Sequence, residues 1–151
     1  MSHCTVCDNV PITDLKALAA ACAAIGLEFV EGQSEWRWFG KHVGDYAIPK
    51  GFTEDDLGKC QHAIRVPGNS KAYEIGVCQR RDGKPGYLLM YDFWAGGNGL
   101  MAVAGKDCTN VVKSYSTKVA EAQLNQLKRQ GFRVRQTVNA QGKTQLIAER
   151  R

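Results

Sequence analysis

Cysteine and histidine side chains near the start and the middle of the chain have spacings that could hold a metal ion. His3 and Cys4 are followed by Cys7, and Cys60 is followed by His62. Four ligands of these types suit a tetrahedral zinc site. The second pair is tighter than the usual spacing, however, and a short strand over the first pair would turn Cys4 and Cys7 to opposite faces. The pattern therefore favours reduced thiols, and a thiol or zinc protein is kept as an alternative function.

The residue pattern gives no indication of catalysis. Asp92 ends a predicted strand and has the chemistry of an acid or base, but spacing implies no partner carboxylate, nucleophilic serine or paired histidine for it. The three histidines, at positions 3, 42 and 62, do not form a triad by sequence. We therefore expect a protein with no catalytic residues, no cofactor and no bound metal.

The segment from Gly99 to Lys106 is superficially similar to a phosphate-binding loop. A Walker loop has four residues between its glycines and a serine or threonine after its lysine. Here five residues separate Gly99 from Gly105, and Asp107 follows Lys106. The carboxylate would repel phosphate, so the Walker interpretation is excluded. Flexible glycines, a helix N-terminus and Lys106 could still hold an anion, and a surface loop is the alternative.

Tryptophans interleaved with cations have the chemistry of a nucleotide site. Trp36 and Trp38 flank Arg37, Lys41 follows, and Trp94 ends a predicted strand. Aromatic rings stack on bases while neighbouring cations meet phosphates. The three tryptophans are the predicted base-stacking residues. The alternative is that this aromatic cluster covers a sheet edge or fills the core.

The last third of the chain is its electropositive part. Residues 106–151 carry ten Lys or Arg and three Asp or Glu, a net charge of +7, whereas residues 1–105 carry −2. Such a segment favours phosphates or acidic partners, and a solvated lysine-rich surface is the alternative. Alternation with apolar residues predicts that the two arginines of the last hairpin share the face opposite the core. The predicted phosphate-binding residues are Lys106, Lys113, Arg133, Arg135 and Lys143.

Periodicity predicts two helices and a set of strands linked by short turns. The first helix is capped by Thr13 or Asp14 and ends at Gly26, and the second begins near Asp107 and ends at Gly131. Strand patterns occur at 5–6, 27–30, 62–66, 73–80, 87–94, 132–135 and 144–147, with a shorter one at 46–48. The short hairpin links predict an α+β fold: a largely antiparallel sheet of about five to seven strands with two helices packed on one face.

Size and composition indicate one globular domain spanning residues 1–151. The chain is 44% hydrophobic and 23% charged, which is ordinary for a globular protein. No apolar run approaches the roughly 18 residues of a membrane span, and the first residues lack the pattern of a secretory signal. We therefore expect a cytoplasmic protein that does not contact membranes.

Three segments, taken in order, resemble a known family. They are Met1-Ser2-His3 before a short strand and capped helix, Tyr73-Glu74-Ile75-Gly76 leading to Tyr91-Asp92-Phe93-Trp94, and Gln130-Gly131-Phe132-Arg133-Val134 after the long helix. They are similar to short proteins of uncharacterised function from algal plastids, cyanobacteria and bacteriophages. The glycines at 96–99 and the aromatic cluster at 36–41 depart from that pattern. The resemblance implies the fold, the domain count and an option of phage origin, but no activity.

The function expected from these observations is non-catalytic binding of a phosphate-bearing ligand, either a nucleotide or a nucleic acid. A bacteriophage protein that sequesters nucleotides would be one form of it. The alternative of a different class is a structural or regulatory adaptor that binds another protein through a sheet edge or the aromatic cluster. The sequence leaves the oligomeric state open.

Overall fold

The computed structural model describes residues 2–43 and 46–150 and contains seven strands and three α-helices in this part of the chain. The strands are β1 (Thr5–Ile12), β2 (Glu28–Glu31), β3 (His62–Arg65), β4 (Ile75–Gln79), β5 (Tyr87–Tyr91), β6 (Phe132–Val138) and β7 (Thr144–Arg150). The helices are α1 (Leu15–Ala24), α2 (Leu100–Ala104) and α3 (Thr109–Arg129).

Five strands form one antiparallel sheet in the order β1-β5-β4-β3-β2, and β6 and β7 form a separate two-stranded sheet. The predicted α+β class, the antiparallel pairing and the two main helices are confirmed. The strands divide into two sheets because the last hairpin follows the far end of α3 and pairs only with itself. That separation could not be read from strand patterns alone.

The helices pack on one face of the five-stranded sheet and form the larger core with it. α1 is capped by Asp14, whose side chain accepts a hydrogen bond from the Ala17 N–H at 3.0 Å, as predicted from the sequence. α3 begins later than predicted because Asp107 and Cys108 adopt left-handed backbone angles, with φ of 54° and 58°. The largest fully buried side chains on this side are Ile12, Leu18, Cys22, Ile64, Ile75, Val77, Leu89, Leu100, Cys108 and Val111.

A long connection between β2 and β3 covers the opposite face of the sheet. Its central contact is Trp36, which lies against the backbone of Gly76 in β4, so that a Cβ built at Gly76 would fall 2.5 Å from Trp36 Cδ1. Cys78, Leu88 and Met90 complete this smaller core from the sheet side. The glycine therefore creates the space that lets the connection sit flat on the sheet.

The connection itself is less regular than predicted. A strand was predicted at 46–48, but the structure shows none there, and these residues pair with no other strand. Among the described residues of the connection, one isolated β-bridge forms, between Glu35 and Lys59. Trp36 follows that bridge, so its position is set by packing on Gly76 rather than by a strand ladder. The sequence signal at 46–48 was two apolar residues, which are also suited to covering a sheet face.

Candidate functional site

The glycine-rich segment after β5 forms a left-handed turn. Ala95, Gly96, Gly97 and Asn98 have successive φ values of 53°, 70°, 62° and 54°. A left-handed conformation costs about 1–2 kcal/mol for each residue that carries a Cβ. Such a run persists only where surrounding contacts impose it. The contacts that hold it come from Asp92, from the segment before β4 and from the turn after β3.

Asp92 is the buried support of this turn. Its carboxyl is 1% exposed; Oδ1 accepts a hydrogen bond from the Trp94 N–H at 3.0 Å, and Oδ2 accepts one from the Ser2 hydroxyl. The Tyr73 N–H donates to the Gly97 carbonyl at 2.9 Å on the other side of the turn. Asp92, the residue with the chemistry of an acid or base, therefore uses its carboxyl oxygens to hold the backbone of the turn and Ser2.

Asn69 joins the glycine turn to the loop that follows β3. Its Oδ1 accepts hydrogen bonds from the N–H groups of Lys71 and Ala72, each at 3.1 Å, which closes the loop on itself. Its Nδ2 donates to the Asn98 carbonyl at 3.3 Å, and the Asn98 amide donates in turn to the Lys71 carbonyl at 3.2 Å. Two exposed loops are thus joined by hydrogen bonds along one edge.

An open cleft of about 390 Å³ lies beside this edge, and we call it the Arg37 cleft. Its size falls within the range usual for small-molecule sites. Polar side chains dominate its walls, including two guanidinium groups, a carboxyl, an amide and a hydroxyl. The lining residues are Arg37, Arg65, Val66, Gly68, Asn69, Ser70 and Glu74.

Arg37 is held in the cleft by both its backbone and its side chain. The buried Glu74 carboxyl accepts hydrogen bonds from the Arg37 N–H at 2.8 Å and from Gln33 Nε2 at 3.0 Å, while the Glu74 N–H donates to the Arg37 carbonyl at 2.8 Å. One guanidinium nitrogen of Arg37 donates to the Ala72 carbonyl at 2.9 Å. A guanidinium carries five N–H donors, so this contact orients the group without exhausting it.

Arg65 enters the cleft from β3 and is paired with Glu28 of the neighbouring strand. The pair is bidentate, with nitrogen–oxygen distances of 2.8 and 3.1 Å. Hydrogen bonding to Arg65 lowers the pKa of the Glu28 carboxyl, and the same contact raises the pKa of Arg65. With Arg37 and Glu74 included, the charges around the cleft nearly balance. The site therefore suits a ligand of low net charge better than a highly charged polyphosphate.

An exposed aromatic pair lies close to Arg37 along the chain. The rings of Phe39 and Trp94 are 5.6 Å apart between centroids, and these residues are 50% and 47% exposed. Two peptide units place the Phe39 Cα within about 7.6 Å of the Arg37 Cα. The arrangement puts an exposed aromatic pair and a guanidinium group close together along the chain.

The three tryptophans predicted to stack on bases have different positions in the structure. Trp36 is 3% exposed and fills the small core against Gly76, so the prediction for it is wrong: no ligand can reach its face. Trp38 is half-buried and contacts Gly58 and the Trp36 ring. Trp94 alone of the three lies largely open to solvent. Phe39, which belongs to the aromatic cluster at 36–41 but was not among the predicted base-stacking residues, is the residue that pairs with Trp94.

The five predicted phosphate-binding residues do not form one site. All five are exposed, but Lys106 precedes α3 and Arg133 follows it, and a helix of 21 residues is about 32 Å long. Lys106 instead borders a second, largely apolar cavity of about 550 Å³ with Gly96, Gly99, Met101 and Ala102. Arg133 and Arg135 share one face of the last hairpin as predicted, with Glu149 beside them. Arg135 lies 3.7 Å from that glutamate.

The cysteines are divided between the two cores. Cys4, Cys60 and Cys78 belong to the small core, whereas Cys22, Cys108 and the partly buried Cys7 pack in the larger one. The expected divergence of Cys4 and Cys7 is confirmed, so the four-ligand arrangement weighed from the sequence does not assemble. All six thiols are free, and residues 2–43 and 46–150 contain no group of three or more side chains placed to hold a metal.

Alkylation of the folded protein is expected to modify Cys7 first. Burial raises the pKa of Cys22, Cys60 and Cys78 to about 12 and raises that of Cys7 as well. Cys7 is nevertheless the least enclosed thiol, and access as well as thiolate character controls reaction. Peptide mass spectrometry after iodoacetamide treatment measures the order, with denaturant as the control for full labelling. Joint protection of Cys4 and Cys7 that a chelator removes would instead favour the zinc alternative.

Several residues of the cleft were not predicted as functional. Asn69 and Ser70 belong to a Pro-Gly-Asn-Ser turn that the sequence marks only as the end of a strand. Arg65 and Glu74 lie in or beside predicted strands, where alternating charged residues usually face solvent. Their meeting depends on β3 and β4 being neighbours, with Arg37 brought over them by the long connection. The alternation of aromatic and cationic residues at 36–41 was the one sequence signal that pointed to part of this cleft.

Comparisons of the chain with protein-family models, with curated proteins and with solved structures found no match. The relation to plastid and phage proteins therefore stays a prediction. Among the described residues, no helix has both the length and the apolar character needed to cross a membrane.

Proposed function

We propose that this protein binds a nucleotide in the Arg37 cleft, with the phosphate at the guanidinium groups and the base against the Phe39–Trp94 pair. The observation that carries the proposal is the fixed Arg37 guanidinium inside a polar cleft, two residues from an exposed aromatic pair. Planar guanidinium groups match phosphate oxygens in two-pronged hydrogen bonds. Base–aromatic stacking tolerates different bases because each base has a π-face.

The near balance of charge indicates which nucleotides bind best. Arg37 and Arg65 are offset by Glu74 and Glu28 around the cleft. A ligand with a single phosphate would meet one guanidinium fork without placing further negative charge beside Glu74. A triphosphate would bring its extra charges near both carboxylates, where like charges repel. Mononucleotides and phosphodiesters are therefore the preferred class in this proposal.

The proposed role is binding rather than catalysis. Asp92 holds backbone and Ser2, and Glu74 holds Arg37 and Gln33. Both acids are thus engaged in structural hydrogen bonds, whereas an acid–base catalyst must reach the reacting proton. A pre-formed cleft with a hydrogen-bonded edge is consistent with retention of a ligand.

Arg37→Ala is expected to weaken nucleotide binding by about 10- to 100-fold, because hydrogen bonds to a charged group are worth about 1.5–3 kcal/mol. Trp94→Ala is expected to weaken it by a similar factor through loss of stacking. Isothermal titration calorimetry with mono-, di-, tri- and cyclic nucleotides measures both effects, after a thermal-shift screen of the same panel.

The matched control is Arg129→Ala, which removes an exposed arginine near the end of α3 and should leave the affinity unchanged. The Arg37 substitution keeps the backbone hydrogen bonds to Glu74, so the fold is expected to persist and circular dichroism can confirm it. Flat melting curves across the whole panel would overturn the proposal. Equal affinity of the wild type and the Arg37→Ala variant would also overturn it.

A further inference from the structure

Positive charge is concentrated at the two-stranded sheet formed by β6 and β7, which we call the ribbon, and none of its described residues lines the Arg37 cleft. Residues 128–150 contain six Lys or Arg and one Asp or Glu, a net charge of +5, which equals the net charge of the whole chain. The charge therefore belongs to one substructure rather than to the surface in general. The Lys and Arg residues of the segment 128–150 are Lys128, Arg129, Arg133, Arg135, Lys143 and Arg150, and all are exposed.

The ribbon is separate from the five-stranded sheet and packs against α3. β6 and β7 pair only with each other, in continuous register from Phe132 opposite Arg150 to Val138 opposite Thr144. Each strand therefore keeps one unpaired edge.

The cations are distributed along the length of the ribbon. Lys128 and Arg129 lie in the last turn of α3 at its base, and Lys143 lies at its tip, next to the turn closed by the Gly142 N–H donating to the Asn139 carbonyl at 3.0 Å. Arg133 and Arg135 lie on one face between them. Seven residues per strand give a length of about 23 Å.

We propose that the ribbon binds double-stranded DNA through contacts with its phosphates. The major groove of B-form DNA, about 12 Å wide, admits a two-stranded β-ribbon, and cations along its length can reach the phosphates on both sides. The narrow major groove of an RNA duplex does not admit such an element. Single strands are bound by exposed aromatic rings, and the described ribbon side chains include one aromatic residue, the half-buried Phe132.

Glu149 is the one acidic side chain of the ribbon and moderates the binding. It lies opposite Arg133 in the register and 3.7 Å from a nitrogen of Arg135. A carboxylate here competes with phosphate for the two arginines. Removing the Glu149 carboxylate should therefore strengthen DNA binding. Misfolding of the variant would not produce that result.

Fluorescence anisotropy with a labelled DNA duplex of about 20 base pairs tests the proposal across a series of salt concentrations. Non-specific binding with a dissociation constant of about 1–100 µM near physiological salt is expected. The double substitution Arg133→Ala with Arg135→Ala should weaken it and lower the slope of log K against log salt by about 2. Glu149→Gln should tighten it. Lys16→Ala with Lys50→Ala, which removes two exposed cations elsewhere, is the matched control and should change neither affinity nor slope.

The result distinguishes this surface from the nucleotide site. Arg37→Ala should leave duplex binding unchanged, and the double arginine substitution should leave nucleotide binding unchanged. Absence of binding at about 50 mM salt would overturn the proposal, as would tighter binding of a single strand than of the duplex. Self-association through the ribbon edges in place of DNA binding, seen as concentration-dependent dimerisation by sedimentation, would overturn it as well.

Discussion

Gly76→Ala is expected to lower the free energy of unfolding by about 1–3 kcal/mol, and Gly76→Val by more, because both overpack the small core. The Cβ would lie 2.5 Å from Trp36 Cδ1 and 2.7 Å from Trp36 Nε1. The indole is buried and its nitrogen has no hydrogen-bond partner among the described residues, so packing rather than polar contact holds it there. Urea denaturation followed by circular dichroism measures the loss.

A double-mutant cycle isolates the cause of that loss. Trp36→Leu removes the ring that meets the new methyl group, so Gly76→Ala should cost less in the Trp36→Leu background than in the wild type. Equal costs in the two backgrounds would show that the clash with Trp36 is not the reason. The same displacement should carry Arg37 with it, since Arg37 is the next residue, and nucleotide binding should weaken together with stability.

Asp92→Ala is expected to lower the free energy of unfolding by about 2–4 kcal/mol, because it leaves buried hydrogen-bond donors without an acceptor. The substitution removes the acceptor for the Trp94 N–H and for the Ser2 hydroxyl in a site that is 1% exposed. A buried donor left without a partner costs about 1–3 kcal/mol. The left-handed turn that follows would also lose its main support.

Asp92→Asn is the matched control for this prediction. Its side-chain oxygen can still accept from the Trp94 N–H, and its amide can donate to the Ser2 oxygen, so the loss should be clearly smaller than for alanine. Denaturation followed by tryptophan fluorescence compares the two variants, with Ser2→Ala as a third. If alanine and asparagine had equal effects, the hydrogen bonds of Asp92 would not be what holds the turn.

Both predictions concern contacts that tie the candidate site to the sheet. Gly76 sets how closely the Trp36 ring can approach the sheet. Arg37, the next residue, lines the cleft. Asp92 holds Trp94, whose ring forms the exposed aromatic pair with Phe39. The proposed nucleotide site is therefore positioned by two buried contacts, one at Gly76 in β4 and one at Asp92 after β5.

Local patterns were sufficient to predict most of the elements. Alternation and glycine turns located the β4–β5 hairpin and the last hairpin, and the predicted cap at Asp14 is confirmed by its hydrogen bond to Ala17. Side-chain alternation also predicted that Cys4 and Cys7 diverge and that Arg133 and Arg135 share a face. These features depend on residues close in sequence, whose geometry follows from the period of a helix or strand.

Predictions for the candidate site were less successful because its parts are distant in sequence. Trp36 and Trp94 look equivalent as aromatic residues beside polar ones, yet one fills a core and the other is open to solvent. The difference depends on Gly76, about 40 residues away from Trp36 and in a different strand. A pattern within one segment carries no information on which residue of another segment will face it.

The sequence by itself determined the fold class, the antiparallel pairing, the starting cap of the first helix and the concentration of positive charge in the last third of the chain. Only the tertiary structure decided that Arg37, Arg65, Asn69 and Glu74 line one cleft and that the basic ribbon is separated from it. The physical reason is that periodicity and charge are local properties of the chain, whereas a cleft forms where strand order and the packing of a long connection bring distant side chains together.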